Sequence, residues 1–145
     1  MGMACASNPQ PLYPVPTTEE CPPGAIQSMQ DMGIKPGAVA EDVAFAVELS
    51  AQPLPVKEGP FVLTLTAAYR TLMPGTEIHG RLFFGDRIHG RFTVARMPDD
   101  RTIPVCMELY DDFEGKRGFA RWRGSTKDNV LLLSSVQLRA VDRFQ

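Results

Sequence analysis

The chain has 145 residues, 43% of them apolar, and a formal charge of −2, the size and balance of one globular domain that needs neither metal nor cross-link to bury a core. Near-neutrality argues against a nucleic-acid binder, which needs a strongly basic face, and no run of about 18 apolar residues is present to span a membrane as a helix. The two parts of the chain differ in kind: residues 1–60 hold ten of the 13 prolines and set two lysines against seven acids, whereas residues 61–145 set 13 basic residues against ten acids.

Residues 1–22 read as a flexible tether, because Pro9, Pro11, Pro14 and Pro16 hold the backbone extended and leave little to bury. Within it, Cys5 follows a small residue and precedes a polar stretch, the arrangement of a lipid-modified cysteine at the end of a bacterial lipoprotein signal. The charged and apolar regions of such a signal do not precede it, and an ordinary cysteine in a disordered terminus is the alternative. That leaves Cys21 and Cys106 as an even pair. In an oxidising compartment a bridge between them closes a loop of about 85 residues and contributes about 4 kcal/mol; two free thiols are the other reading. No Cys-x-x-Cys spacing points to zinc or thioredoxin-type chemistry.

A single β-rich domain is expected over residues 23–145. It opens on a short helix in "CPPGAIQSMQDMGIKPG", where Pro22 or Pro23 suits the first turn, Ile26, Met29 and Met32 recur at near-helical spacing, and Gly33 stands where a left-handed cap ends a helix. From Glu41 the period becomes two. Val43, Phe45, Val47 and Leu49 alternate with smaller or polar residues, and the alternation returns over residues 61–69, 76–84, 87–96, 102–110, 116–123 and 130–141. The short links "MPG", "GD", "MPDDR", "DDFEG" and "GSTKDN" predict antiparallel neighbours. The expected fold is all-β: an antiparallel meander closing into a barrel or a two-layer sandwich, with the Val43–Leu49 strand covering an edge.

The sequence "EIHGRLFFGDRIHGRF" repeats Ile-His-Gly-Arg ten residues apart and holds both histidines. A tight two-residue turn at Gly85-Asp86 pairs Phe83 with Ile88 and His79 with Phe92. His79 and His89 then lie on opposite faces and cannot share a metal; a three-residue loop would return both to one side. Gly80 and Gly90 mark a bend, or a surface bared for a ligand or partner. Arg81 and Arg91 accompany the histidines as candidate binding residues. Trp122, between Arg121 and Arg123, can stack on a sugar or a partner's side chain, although strand alternation alone would put the indole in the core and the arginines in solvent.

Asp111, Asp112 and Glu114 lack the spacing of a calcium loop and read as a solvated turn. None of Ser125, Ser134, Ser135, Cys21 and Cys106 sits in a nucleophile elbow, and no phosphate-binding glycine loop occurs. No metal or cofactor is expected.

The stretch "RIHGRFTVARMPDDRTIPVCMELYDD" with the ending "SSVQLRAVDRF" resembles small secreted or lipoprotein-like proteins of high-GC bacteria, over residues 61–144. Some of those carry protein-kinase labels, but no kinase motif is present here. The expectation is a non-enzymatic binding or structural module, extracytoplasmic and anchored to a membrane only through lipid at Cys5, that works through a protein or glycan partner. The alternatives are a soluble enzyme using His79 or His89 with a carboxylate, a subunit of a larger assembly or oligomer, and a cytoplasmic location.

Overall fold

Strands that bury every second side chain need a second apolar surface to pack on, and here the sheet supplies it by closing on itself. The computed structural model describes residues 17–45 and 50–145; Cys5 and the Val47–Leu49 end of the first predicted strand lie outside the described residues. Among the described residues the elements are β1 (Glu19–Glu20), α1 (Ala25–Asp31), β2 (Val39–Ala44), β3 (Pro53–Val56), β4 (Gly59–Leu65), β5 (Glu77–Phe84), β6 (Ile88–Arg96), β7 (Thr102–Asp111), β8 (Lys116–Arg117), β9 (Val130–Leu133), β10 (Ser135–Ala140) and β11 (Arg143–Phe144). Strands β4 to β7 form the expected meander. β10 pairs with β7 on one side and β2 on the other, and β2 pairs with β4, closing a six-stranded antiparallel barrel to which β8 adds an extra strand. Each barrel strand sends at least one fully buried residue inward: Val43, Leu63, Ile78, Ile88, Met107 and Val136.

Three sequence expectations change. The first predicted strand is a member of the ring between β10 and β4 rather than an edge cover. The predicted strand over 116–123 is a strand only at Lys116–Arg117, because Gly118 (φ 74°) and Gly124 (φ 92°) turn the backbone; in between, Phe119 exchanges two backbone hydrogen bonds with Ile88, at 2.7 and 2.8 Å. The predicted strand over 130–141 splits at Ser134. Its N–H donates to the Gln52 carbonyl (2.8 Å) and its Oγ accepts the Gln52 N–H (3.1 Å), so β9 pairs with β3 while β10 enters the barrel. The alternation runs unbroken through Val130, Leu132, Ser134, Val136 and Leu138, all buried, which is why periodicity alone could not reveal two partners.

The helix lies on the expected segment but buries a different face from the apolar pattern. Ala25 and Met29 form its buried face and Ile26 points outward. Gly33 (φ 78°) ends it as expected: the Ile34 N–H reaches the Met29 carbonyl and the Gly33 N–H the Gln30 carbonyl, the paired bonds of a Schellman cap, with Ile34 and Met29 buried together.

The ends of the described chain meet. β1 pairs with β11, Glu19 opposite Phe144 and Glu20 opposite Arg143, and Cys21, directly after β1, is disulfide-bonded to Cys106 on β7 with Cα atoms 5.5 Å apart. The ordered pairing therefore begins inside the stretch that composition marks as a tether. In the other small ladder, the Leu131 carbonyl accepts the Trp122 N–H and the Leu131 N–H donates to Ser125 Oγ. Leu131 thus directs its polar groups away from β3, and Pro55 opposite it faces the outer side of the ladder, as does Pro53 two residues earlier.

Candidate functional site

The β5–β6 hairpin carries the repeated tetrapeptide. Phe84 pairs with Ile88 across three residues, Gly85, Asp86 and Arg87, rather than across the expected two-residue turn. Asp86 Oδ1 accepts the Arg87 N–H (2.9 Å), and the Arg87 side chain is drawn to the carbonyls of Arg117 (3.1 Å) and Gly118 (2.9 Å), which holds the wider loop. The parity changes with it. His79, Arg81, Phe83, His89 and Arg91 all face outward, so the histidines are not on opposite faces of the sheet. They are still apart in register: His79 pairs with Val94 and His89 with Phe83.

Each histidine has its own carboxylate, Glu77 Oε1 at 3.0 Å from His79 Nε2 and Asp86 Oδ1 at 3.5 Å from His89 Nε2. Burial pushes the Asp86 carboxyl up, but hydrogen bonds from His89 and the Arg87 N–H, with the attraction of His89, together outweigh it and hold the group below its ordinary value. Among the described residues, no group of three or more His, Cys, Asp and Glu side chains is placed to hold a metal ion.

The glycines face inward, and their space is filled from within. A Cβ on Gly80 would stand 2.1 Å from the Arg91 carbonyl oxygen and 2.7 Å from Phe92 Cδ1, and one on Gly90 would stand 2.7 Å from Phe92 Cε2. The Phe92 ring thus lies over both bare positions. Beside it the register slips, leaving Thr93 unpaired between Phe92 and Val94; this bulge turns Ala95 and Met97 inward, where Val94 and Arg96 would otherwise point.

The two arginines of the repeat part company. Arg81 is exposed, whereas Arg91 is 9% exposed, lies over the Phe83 and Phe144 rings, and meets Glu19 Oε1 at 3.0 Å. Next to Arg91 on β7, buried Glu108 pairs with Arg139 (2.7 Å) and Arg117 (3.1 Å). Trp122 is not in the core: it is 38% exposed, on the connection that covers β9.

A concave surface forms elsewhere, from residues the sequence did not single out. Met32, Leu72, Met73, Met97 and Pro98 wall a groove of about 430 Å³, lined also by the buried Thr76 and, at its exposed rim, by Thr71, Asp99 and Arg101. The polar groups are already engaged: Thr71 Oγ1 donates to the Met32 carbonyl (3.0 Å), Thr76 Oγ1 to the Met73 carbonyl (2.7 Å), and Arg101 Nε pairs with Asp99 Oδ2 (2.7 Å). The signal was available: each methionine stands immediately before a glycine or proline link, Met32-Gly33, Met73-Pro74 and Met97-Pro98, so all three sit at element ends. Neither histidine lines this groove.

No family model matches the chain, and no curated protein matches its sequence.

Proposed function

We propose that the protein is a non-enzymatic binding module whose methionine-walled groove receives an apolar side chain of a protein partner, in an oxidising, extracytoplasmic compartment. The groove carries this reading. Its volume is that of a ligand-sized pocket, its unbranched thioether side chains adapt to different apolar shapes, and its polar rim is satisfied internally, leaving little for a polyhydroxylated glycan to bond. The Cys21–Cys106 bridge supports the compartment, and lipid on Cys5 is the proposed anchor. An enzyme built on His79 or His89 has less support: each meets a carboxylate, but on the outer wall of the barrel rather than in the groove.

Titration of methyl-¹³C-methionine protein with N-acetyl-leucyl-phenylalanine amide tests the proposal. The Met32, Met73 and Met97 methyl signals should move saturably while buried Met29 and Met107 stay in place, and Met73→Lys should abolish the response. Signals that do not move, or that move only around His79 and His89, would refute it.

A further inference from the structure

Phe113 is 97% exposed, more than any other large apolar side chain among the described residues. It stands in the turn that follows β7, and the backbone of that turn is tied down. Asp111 Oδ1 accepts the N–H groups of Phe113 (3.0 Å) and Glu114 (3.1 Å), and the Gly115 N–H bonds the Asp111 carbonyl (2.8 Å). Exposed apolar residues are ordinary, but an aromatic ring held out on a fixed turn is preorganised as an interface anchor, with little left to order on binding.

The same chain carries a receptor for such a ring. The methionine-walled groove is large enough for a phenyl group, and thioether sulfur packs favourably against aromatic rings. Groove and ring lie at opposite ends of the barrel. Residues 71–76 lead into β5 and residues 97–101 join β6 to β7, so the groove is where β7 begins, whereas Phe113 follows the point where β7 stops. The ten residues of β7 separate the two by about 30 Å, and Phe113 cannot enter the groove of its own chain.

The unpaired charges match as well. Asp112, beside Phe113, has no hydrogen-bond or ion-pair partner among the described residues, and neither has Arg70. Arg70 precedes the groove residue Thr71, and its Cβ lies 3.9 Å from where a Cβ on Gly33, next to Met32, would stand. A free carboxylate therefore accompanies the ring, and a free guanidinium the groove.

We propose that the occupant of the groove is Phe113 of a second copy of this chain, with Asp112 of that copy set against Arg70. The inference rests on the groove's taking an apolar side chain and adds whose side chain it is. Each contact leaves an empty groove at one end and a free Phe113 at the other, so copies join head to tail. One aromatic anchor with one rim ion pair makes a weak contact that follows concentration.

Phe113→Ala and Met73→Lys, both at exposed positions, separate the two halves of the contact. Sedimentation velocity of the unaltered protein should show association that grows with concentration, weakened at least about thirtyfold in either variant alone, as for loss of a central anchor. Mixing methyl-¹³C-methionine Phe113→Ala protein with unlabelled Met73→Lys protein should give a complex of one copy of each and move the labelled Met32, Met73 and Met97 signals. Asp112→Arg should weaken self-association about threefold, the effect of one exposed ion pair, and adding Arg70→Asp should recover it. N-acetyl-leucyl-phenylalanine amide should bind the Phe113→Ala variant and dissociate the oligomers of the unaltered protein. Peptide binding by a protein that stays monomeric would overturn this inference alone and leave the groove to a different protein. Self-association that survives Phe113→Ala, or a mixture that remains monomeric, would also overturn it; a peptide that leaves the Phe113→Ala signals unmoved would remove the groove reading, and this inference with it.

Discussion

Ile78-His79-Gly80-Arg81 and Ile88-His89-Gly90-Arg91 are the same four residues in neighbouring strands, and they end in different surroundings. The inward members behave alike. Both isoleucines are fully buried, and both glycines accommodate Phe92. The outward members diverge, because β1 and β11 lie over the second copy and leave the first uncovered: Arg81 is exposed and Arg91 is enclosed by Glu19 and two rings. An inward position is decided by the strand's own period, which is local; an outward position is decided by whatever distant segment covers it.

Removing that cover should produce the largest change. The Cys21→Ser, Cys106→Ser double variant should lose about 4 kcal/mol of stability, the chain-entropy value for a loop of this length, seen as a lower denaturant midpoint. Hydrogen exchange should then rise at Phe144 and its β1 partner before it rises in β5. Gly80→Ala should cost at least about 3 kcal/mol, since the added carbon meets backbone, while Gly90→Ala should cost about 1 to 3 kcal/mol because the Phe92 and Leu109 side chains can give way; equal losses would show that the two glycines are equivalent after all. Arg91→Ala should cost about 1 to 3 kcal/mol through the packing lost over the Phe83 and Phe144 rings, against less than about 0.5 kcal/mol for exposed Arg81→Ala.

The smallest effect is in the titration of Asp86. Its folded value lies below the unfolded 3.8, so its contribution to stability is present above that pH and is lost as pH falls through the lower folded value. His89→Gln should bring the Asp86 carboxyl back up, read from its side-chain carbon shift in an NMR titration, and His79→Gln should leave it unchanged.

The strand segments and the all-β class were legible because burial on one face writes itself as a two-residue period. Closure was not: nothing local tells Val43 that its neighbours are Val136 and Leu65, or tells Ser134 to hand the chain from one ladder to another. The turn after Phe84 was misread for a related reason. Gly85 permits the tight turn, but the Arg87 guanidinium, held by carbonyls some thirty residues away, selects the wider one. Trp122 followed strand alternation on paper and escaped it because Gly118 and Gly124 end the strand. The methionine groove was written at the element ends, where a periodicity search does not look.

Pro53 and Pro55 have a consequence for assembly. They occupy the outward-facing positions of β3, so that rim offers carbonyls and lacks the amide hydrogens on which a foreign strand would zip itself. With the main sheet joined into a ring, growth by backbone pairing is blocked at this margin too, and whatever docks there must be recognised by its side chains.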